Sequence, residues 1–225
     1  MKFWVFNPPM MTGDWAFADV IDPKYGDAPR CPSCGDFIGL LTWLPPYRVR
    51  LVKGMKSYEP GDVISGPGMS AGFVASERFI AEFERANLKG VERWERVAIE
   101  GYDNYWEKKL KRPAPAGSYK LAILPVPTVR AKWEEMQPKP LPKRELVWVG
   151  CAVCGRSPRA AESWKGVVVD EESWTGADIF KLTSLSGHFI VTEAFVKFVA
   201  AGKFRGVPLV PAEKDKPFRA RPVTW

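Results

Sequence analysis

All four cysteines of the chain stand in two pentapeptides, CPSCG (Cys31–Gly35) and CAVCG (Cys151–Gly155). Two thiolates at i and i+3 in a tight turn present sulfur on one side, and glycine after the second cysteine gives the backbone the freedom to turn. A structural zinc site takes four ligands in a tetrahedron, so one such turn supplies half a site. Two turns supply a whole one. Cys31, Cys34, Cys151 and Cys154 are therefore the candidate metal ligands, with Zn2+ the expected metal. A redox pair, local disulfides, or thiols that no longer hold metal are the other chemistries open to CxxC. A redox CxxC starts a helix after a strand. Here Gly35 and Gly155 follow, and Pro29, Pro32 and Pro158 flank, which favours turns.

Nothing else in the sequence forms a reactive set. The only histidine is His188, which leaves imidazole-based acid–base chemistry without a second imidazole. It is expected at a strand edge. The sequence contains no GxSxG, P-loop, GxGxxG or HExxH pattern. GPGMSAG (Gly66–Gly72) is glycine-rich but lacks the Lys-Ser/Thr of a phosphate cradle, so it is expected to be a flexible loop. No catalytic and no cofactor-binding residue is assigned beyond the metal ligands, and the protein is expected not to be an enzyme.

Composition fits a soluble, folded chain: 225 residues, 46% hydrophobic and 26% charged, with ten Trp and thirteen Phe. The apolar run near the start, FWVF, is four residues long. A signal peptide needs about 7–15. The expected compartment is accordingly the cytoplasm, where disulfides are rare, and no membrane span is expected. Net charge is +7, concentrated in Lys108–Arg112 and in Lys203, Arg205, Lys214, Lys216, Arg219 and Arg221. Segments 108–112 and 203–221 could meet nucleic acid or an acidic protein surface, or simply be solvated.

The elements that must position the cysteines show an internal pattern. Shifting the chain by 116 residues lays Gly61–Val91 over Ala177–Val207 without a gap. Asp62/Asp178, Ser70/Ser186, Phe73/Phe189, Glu77/Glu193, Phe79/Phe195, Gly90/Gly206 and Val91/Val207 are identical pairs. Each segment predicts a strand followed by a helix. Ser76 or Thr192 is a suitable N-cap, and Glu77 or Glu193 suits the positive end of the helix dipole. Phe79, Ile80, Phe83 and Ala86 form one apolar face, copied by Phe195, Val196, Val199 and Gly202. Gly90 or Gly206 is expected to serve as a left-handed C-cap.

Further strands are predicted over Lys2–Phe6, Ile38–Trp43, Tyr47–Val52, Tyr119–Leu124 and Leu146–Val149, with a short helix over Thr128–Met136. The expected fold class is α+β with a mainly antiparallel sheet. It would comprise two pseudo-repeated lobes, each with a CxxCG turn, strands and an amphipathic helix, joined by the paired zinc turns. The expected divisions are an N-terminal lobe 1–112, a Pro-rich connector 113–145 and a C-terminal lobe 146–225 with a basic tail. RPAPAG (Arg112–Gly117) and PKPLP (Pro138–Pro142) mark the connector.

With CPSCG near residue 30, CAVCG 120 residues later and an N-terminal MKFW, the chain resembles the double-CxxCG family of immunity proteins of myxobacterial swarming-inhibition toxin systems. The resemblance spans the chain and rests on the motif pair and its spacing. It implies a non-catalytic protein whose partner is a cognate, contact-delivered polymorphic toxin. Only the four cysteines carry over by position. The alternative is a zinc-containing nucleic-acid-binding protein, using the basic segments with Tyr102, Tyr105 and Trp106.

Overall fold

A computed structural model describes residues 1–8, 13–64, 72–110, 118–136, 151–155, 166–183 and 185–215. The strands are β1 (Phe3–Phe6), β2 (Phe17–Val20), β3 (Lys24–Tyr25), β4 (Trp43–Leu44), β5 (Arg48–Val52), β6 (Val63–Ile64), β7 (Gly72–Ser76), β8 (Arg93–Tyr102), β9 (Tyr119–Ile123), β10 (Ile179–Leu182), β11 (Leu185–Thr192) and β12 (Leu209–Pro211). The α-helices are α1 (Glu77–Arg85), α2 (Asn104–Leu110), α3 (Trp133–Met136) and α4 (Glu193–Gly202).

The fold is mixed α and β with mostly antiparallel sheets and few helices, as the alternating strand patterns predict. One sheet has the order β10-β11-β1-β12 and another β2-β5-β8-β9-β7-β6, while β3 and β4 form a separate ribbon. The β5–β8 pairing is parallel. Strand β5 shows how sequence selects this: Val49 and Leu51 are fully buried, whereas Arg48 and Arg50 point out to Glu100 and Asp19. Strands β7 and β10 instead bury both faces. Phe73 and Ala75 share a core with Ile179 and Phe189, while Val74 packs behind with Val49, Leu51 and Leu121. Phe180 and Leu182 face a third cluster with Phe3, Val5 and Ile190.

The central core also holds Phe79 and Phe83 of α1 and Phe195 of α4. Rings of Phe79 and Phe195 lie 6.3 Å apart. Burying one such side chain contributes about 1.5–3 kcal/mol, so this aromatic group is a main source of cohesion. Strand β1 comes from the segment expected in the N-terminal lobe, yet it pairs with β11 and β12. Its residues Phe3, Val5 and Phe6 are all buried, which an exposed N-terminal strand would not allow.

The two strand–helix segments have matching detail. Val63 pairs with Ala75 and Ile64 with Val74; Ile179 pairs with Val191 and Phe180 with Ile190, each position 116 residues on. Each second strand runs straight into its helix. The backbone N–H groups of Asp62 and Val63 donate to the Arg205 carbonyl at 2.8 and 3.1 Å, and those of Asp178 and Ile179 donate to the Lys89 carbonyl at the same distances. The Arg205 N–H donates to the Asp62 carboxylate at 2.9 Å, and the Lys89 N–H to that of Asp178 at 3.0 Å. The chain leaving each helix thus anchors the strand that opens the other segment.

Several expectations are corrected. Gly90 and Gly206 are not the helix C-caps. The left-handed residues just after α1 and α4 are Asn87 and Lys203, with φ 53° and 49°. Gly90 is needed for close approach: a Cβ there would stand 1.9 Å from the Ile179 carbonyl oxygen. Thr192 does not cap α4 with its side chain; its hydroxyl donates to Asp178 at 2.7 Å and accepts no N–H of the helix start. Ala86 is exposed rather than part of the apolar face. Ile38–Trp43 is largely not strand, since its chain serves as one leg of a turn that carries cysteines. The helix expected over Thr128–Met136 covers only Trp133–Met136, because Val129 and Ala131 bridge to Leu182 and Val169 instead. The expected strand Leu146–Val149, both proline-rich stretches, loop residues 65–71 and tail residues 216–221 lie outside the described residues.

Candidate metal centre

The first cysteine turn sits at the tip of a narrow ribbon. β3 and β4 form its base, with Lys24 opposite Leu44 and Tyr25 opposite Trp43. Towards the tip the Gly26 N–H donates to the Thr42 carbonyl at 2.8 Å, and the Ile38 N–H to the Pro29 carbonyl at 2.9 Å. The Cys31 N–H then donates to the Asp36 carbonyl at 2.7 Å, and the Gly35 N–H closes the turn onto the Cys31 carbonyl at 2.9 Å. Gly35 has φ 76°, a conformation any Cβ would strain. Arg30 braces the turn, donating to the Gly35 carbonyl at 3.0 Å with its guanidinium 4.0 Å from the Phe37 ring centroid.

The second turn has the same internal geometry. The Gly155 N–H donates to the Cys151 carbonyl at 2.7 Å, and Gly155 has φ 67°. It is held from outside by two side chains. The Thr183 hydroxyl donates to the Cys154 carbonyl at 2.5 Å, and Arg130 to the Ala152 carbonyl at 3.2 Å. Arg130 is itself fixed by Asp170, at 2.9 Å from Nε and 2.7 Å from the second nitrogen of the fork.

These supports bring together all four predicted ligands. Their sulfurs lie within 4.8 Å of one another, with Cys31 Sγ 3.8 Å from Cys151 Sγ and Cys34 Sγ 3.8 Å from Cys154 Sγ. The cysteines are free thiols, and a disulfide would need about 2.05 Å. Four metal–sulfur bonds of about 2.3 Å in a tetrahedron put sulfurs about 3.8 Å apart. The arrangement can therefore hold a metal ion with little movement. Cys31 and Cys154 are buried against Ile38, Cys151 is half-buried and Cys34 exposed, so the cluster stands at the protein's edge with one side to solvent.

Backbone N–H groups of Cys154 and Val153 aimed at sulfur bring the Cys151 thiol down to about 6. At Cys34 the Asp36 backbone pulls the other way, but burial and the neighbouring Cys31 and Cys151 sulfurs together push that thiol up. A metal cation would favour the thiolate at every position.

Sequence reasoning missed Arg130, Asp170 and Thr183, which orient the second turn. They lie about 15 to 30 residues from it with no motif linking them. His188 lies in β11, mostly buried, with Nε2 3.6 Å from Asp215 Oδ2, and is not among the clustered ligands. Burial lowers its imidazole, opposed by Asp215. Tyr102 is 3% exposed and packs in the core, so it cannot stack on a base, contrary to the alternative expectation. Tyr105 is exposed with Lys109 Nζ 5.9 Å from its ring, while the side chain of Trp106 is outside the described residues. Of the tail, Lys203, Arg205 and Lys214 are exposed. Among the described residues no helix is long and apolar enough to cross a membrane.

Searches against models of protein families and against curated proteins find no match for the chain.

Proposed function

We propose that the chain is a non-catalytic immunity protein that binds a cognate protein toxin, with Cys31, Cys34, Cys151 and Cys154 holding one structural Zn2+. The observation that carries the metal part is the convergence of four free thiols from two turns separated by 120 residues. An all-thiolate tetrahedron suits zinc or iron, and an edge position without an open ligand slot suits a structural ion. The two strand–helix segments are proposed to be copies of one ancestral unit. Their equal register and exchanged anchors at Asp62 and Asp178 support this. The metal would then tie the two halves a second time, at the cysteine turns.

The toxin part rests on the resemblance of the paired CxxCG turns to the immunity family. A chain with net charge +7 suits a toxin with an acidic docking surface better than one that binds phosphate mimics. Two measurements test the reading. Elemental analysis of protein purified without added metal should give about one zinc per chain; iron, or folded protein with four reactive thiols, removes the zinc assignment. Co-expression with the toxin encoded beside its gene should protect cells and yield a complex. Binding to nucleic acid that collapses as salt rises, without protection, would instead favour the alternative.

A further inference from the structure

The four sulfurs form two close pairs across the turns, and each pair couples an outer thiol to an inner one. Cys34 is exposed, and its Sγ lies 3.8 Å from that of Cys154, which is 2% exposed. Cys151 is half-buried, and its Sγ lies 3.8 Å from that of Cys31, again 2% exposed. A thiol that meets solvent beside one that does not is the layout of an attacking and a resolving cysteine. The outer sulfur takes the oxidant, and the inner one, shielded from it, closes the disulfide. The members of each pair come from different turns, so closing either pair joins residues 120 apart in sequence.

We propose that the cluster is a peroxide-responsive site in which two cross-turn disulfides, Cys34–Cys154 and Cys31–Cys151, take over the tie from the metal. It rests on the zinc reading only for the identity of the ion that leaves. The Cys34 thiolate attacks one oxygen of the peroxide; the O–O bond breaks, hydroxide leaves and Cys34 becomes a sulfenic acid. The Cys154 thiolate then attacks the Cys34 sulfur; the S–S bond forms and the S–O bond breaks with loss of a second hydroxide. Two thiolates have given up two electrons, and one peroxide has taken them. A tetrahedron short of two ligands releases its ion, and Cys151 and Cys31 repeat the sequence with a second peroxide. Each pair must close from 3.8 Å to about 2.05 Å. The first turn has room for this, since a Cβ on Gly35 would meet nothing within 4 Å. The bonds that hold the turns, from the Cys31 and Gly35 N–H groups in one and from Thr183 and Arg130 to the other, use no sulfur, so none is broken by the oxidation.

Hydrogen peroxide added to the full chain as purified tests this. Zinc content is measured first, and release is followed with a chromogenic chelator. Trypsin under non-reducing conditions should then yield fragment Cys31–Arg48 joined to fragment Glu145–Arg156 as the main product. The intact mass should fall by the hydrogens of two disulfides rather than rise by added oxygen. A sulfenic-acid trap present from the start should label Cys34 about fivefold or more over Cys154. Once oxidised, the protein should keep its melting temperature in a chelator, whereas the reduced protein should lose it, and a thiol reductant should restore that sensitivity. Fragments each closed on themselves, oxygenated cysteines without a link, or four thiols that stay reduced overturn the proposal. Zinc content separates it from the metal assignment. Linked fragments from a chain that carried no zinc uphold the disulfides and remove only the zinc, whereas unreactive thiols in a zinc-loaded chain remove the disulfides alone. Every measurement uses the wild-type chain, so no outcome depends on a variant folding.

Discussion

Segments 62–89 and 178–205 perform the same manoeuvre with different chemistry. Both pair two strands in one register, turn into a helix at a glutamate and leave it through a left-handed residue. Both seat an aspartate under the other segment's exit chain. Asp62, however, also receives Arg78 at 3.0 and 2.6 Å, and the position matching Arg78 in the second segment is Ala194. Burial pushes the Asp62 carboxyl up, but the Arg78 fork, the Arg205 N–H and Ser76 more than offset this and hold it below its usual range. The backbone exchange recurs in both segments, whereas the ion pair is an addition to one. Shared geometry therefore lies in strand pairing and backbone anchors, and side-chain electrostatics is where the segments diverge.

The cysteine turns give the largest expected effect. Structural zinc contributes roughly 10–16 kcal/mol in small peptides, against a net stability of about 5–15 kcal/mol for a domain. Cys34→Ser and Cys151→Ser should each lower the melting temperature strongly and to a similar extent, and the double variant should be little worse than either, since one missing ligand spoils the tetrahedron. Chelation should reproduce the loss in wild type. Thermal unfolding checks all four; melting of Cys151→Ser within a degree or two of wild type would mean that the turns are not tied through a metal.

Next come the two core phenylalanines. Phe79 and Phe195 are both fully buried and touch across the helix pair. Phe79→Ala and Phe195→Ala should each cost about 3–5 kcal/mol by denaturant unfolding. A cost for one and near-neutrality for the other would break the equivalence of the segments. Because the rings share neighbours, the double variant should depart from additivity.

These helices were legible because their signals are local. Ser76 before Glu77, and Phe79, Ile80 and Phe83 on one face, specify a start and a buried side without knowledge of the rest. The cysteine cluster was legible for another reason: thiol pairs at i and i+3 are rare, and the four that a metal site would need are all the cysteines there are. What could not be read were the long-range supports. Nothing near Cys151 points to Arg130 or Thr183. Nothing near Gly90 tells of the Ile179 carbonyl, so the local pattern suits a cap while the residue serves close packing. Residues 38–43 satisfy a strand pattern, yet their partners are the other leg of a turn, a choice made by Cys31 and Gly35. Lys181 in an apolar strand gave no warning that its amine would be buried.

The aspartates sharpen the comparison further. Asp62→Asn should destabilise more than Asp178→Asn at neutral pH, since it loses the Arg78 pair as well as weakening the anchor; buried bonds of this kind are worth about 1–3 kcal/mol. The pH dependence follows in sign. With its folded value lowered, Asp62 contributes stability present above its unfolded value of about 3.9, and this is lost as pH falls through the folded value. Wild type and Asp62→Asn should thus converge in acid. Urea unfolding at pH 7 and at about pH 2–3 reads both effects. A constant gap across that range would show that the carboxylate's charge does not stabilise the fold.

The smallest effect separates the two helix starts. The Ser76 hydroxyl accepts the Phe79 N–H at 3.2 Å and donates to Asp62 at 3.1 Å, so it caps the helix and joins the anchor at once. The Thr192 hydroxyl only donates to Asp178, and α4 has no side-chain cap. Ser76→Ala should therefore cost about 1–2 kcal/mol, the cap alone accounting for about 1. Thr192→Val keeps the branched shape favoured in a strand and removes one donor, for about 0.5–1.5 kcal/mol. A cycle with the aspartates tells the roles apart. Thr192→Val should lose most of its effect in an Asp178→Asn background, because its one bond to Asp178 is already altered. Ser76→Ala should keep about 1 kcal/mol in an Asp62→Asn background, because the cap to Phe79 survives there. If both effects vanished with their aspartates, the first helix would have no independent cap, and the two starts would be chemically alike.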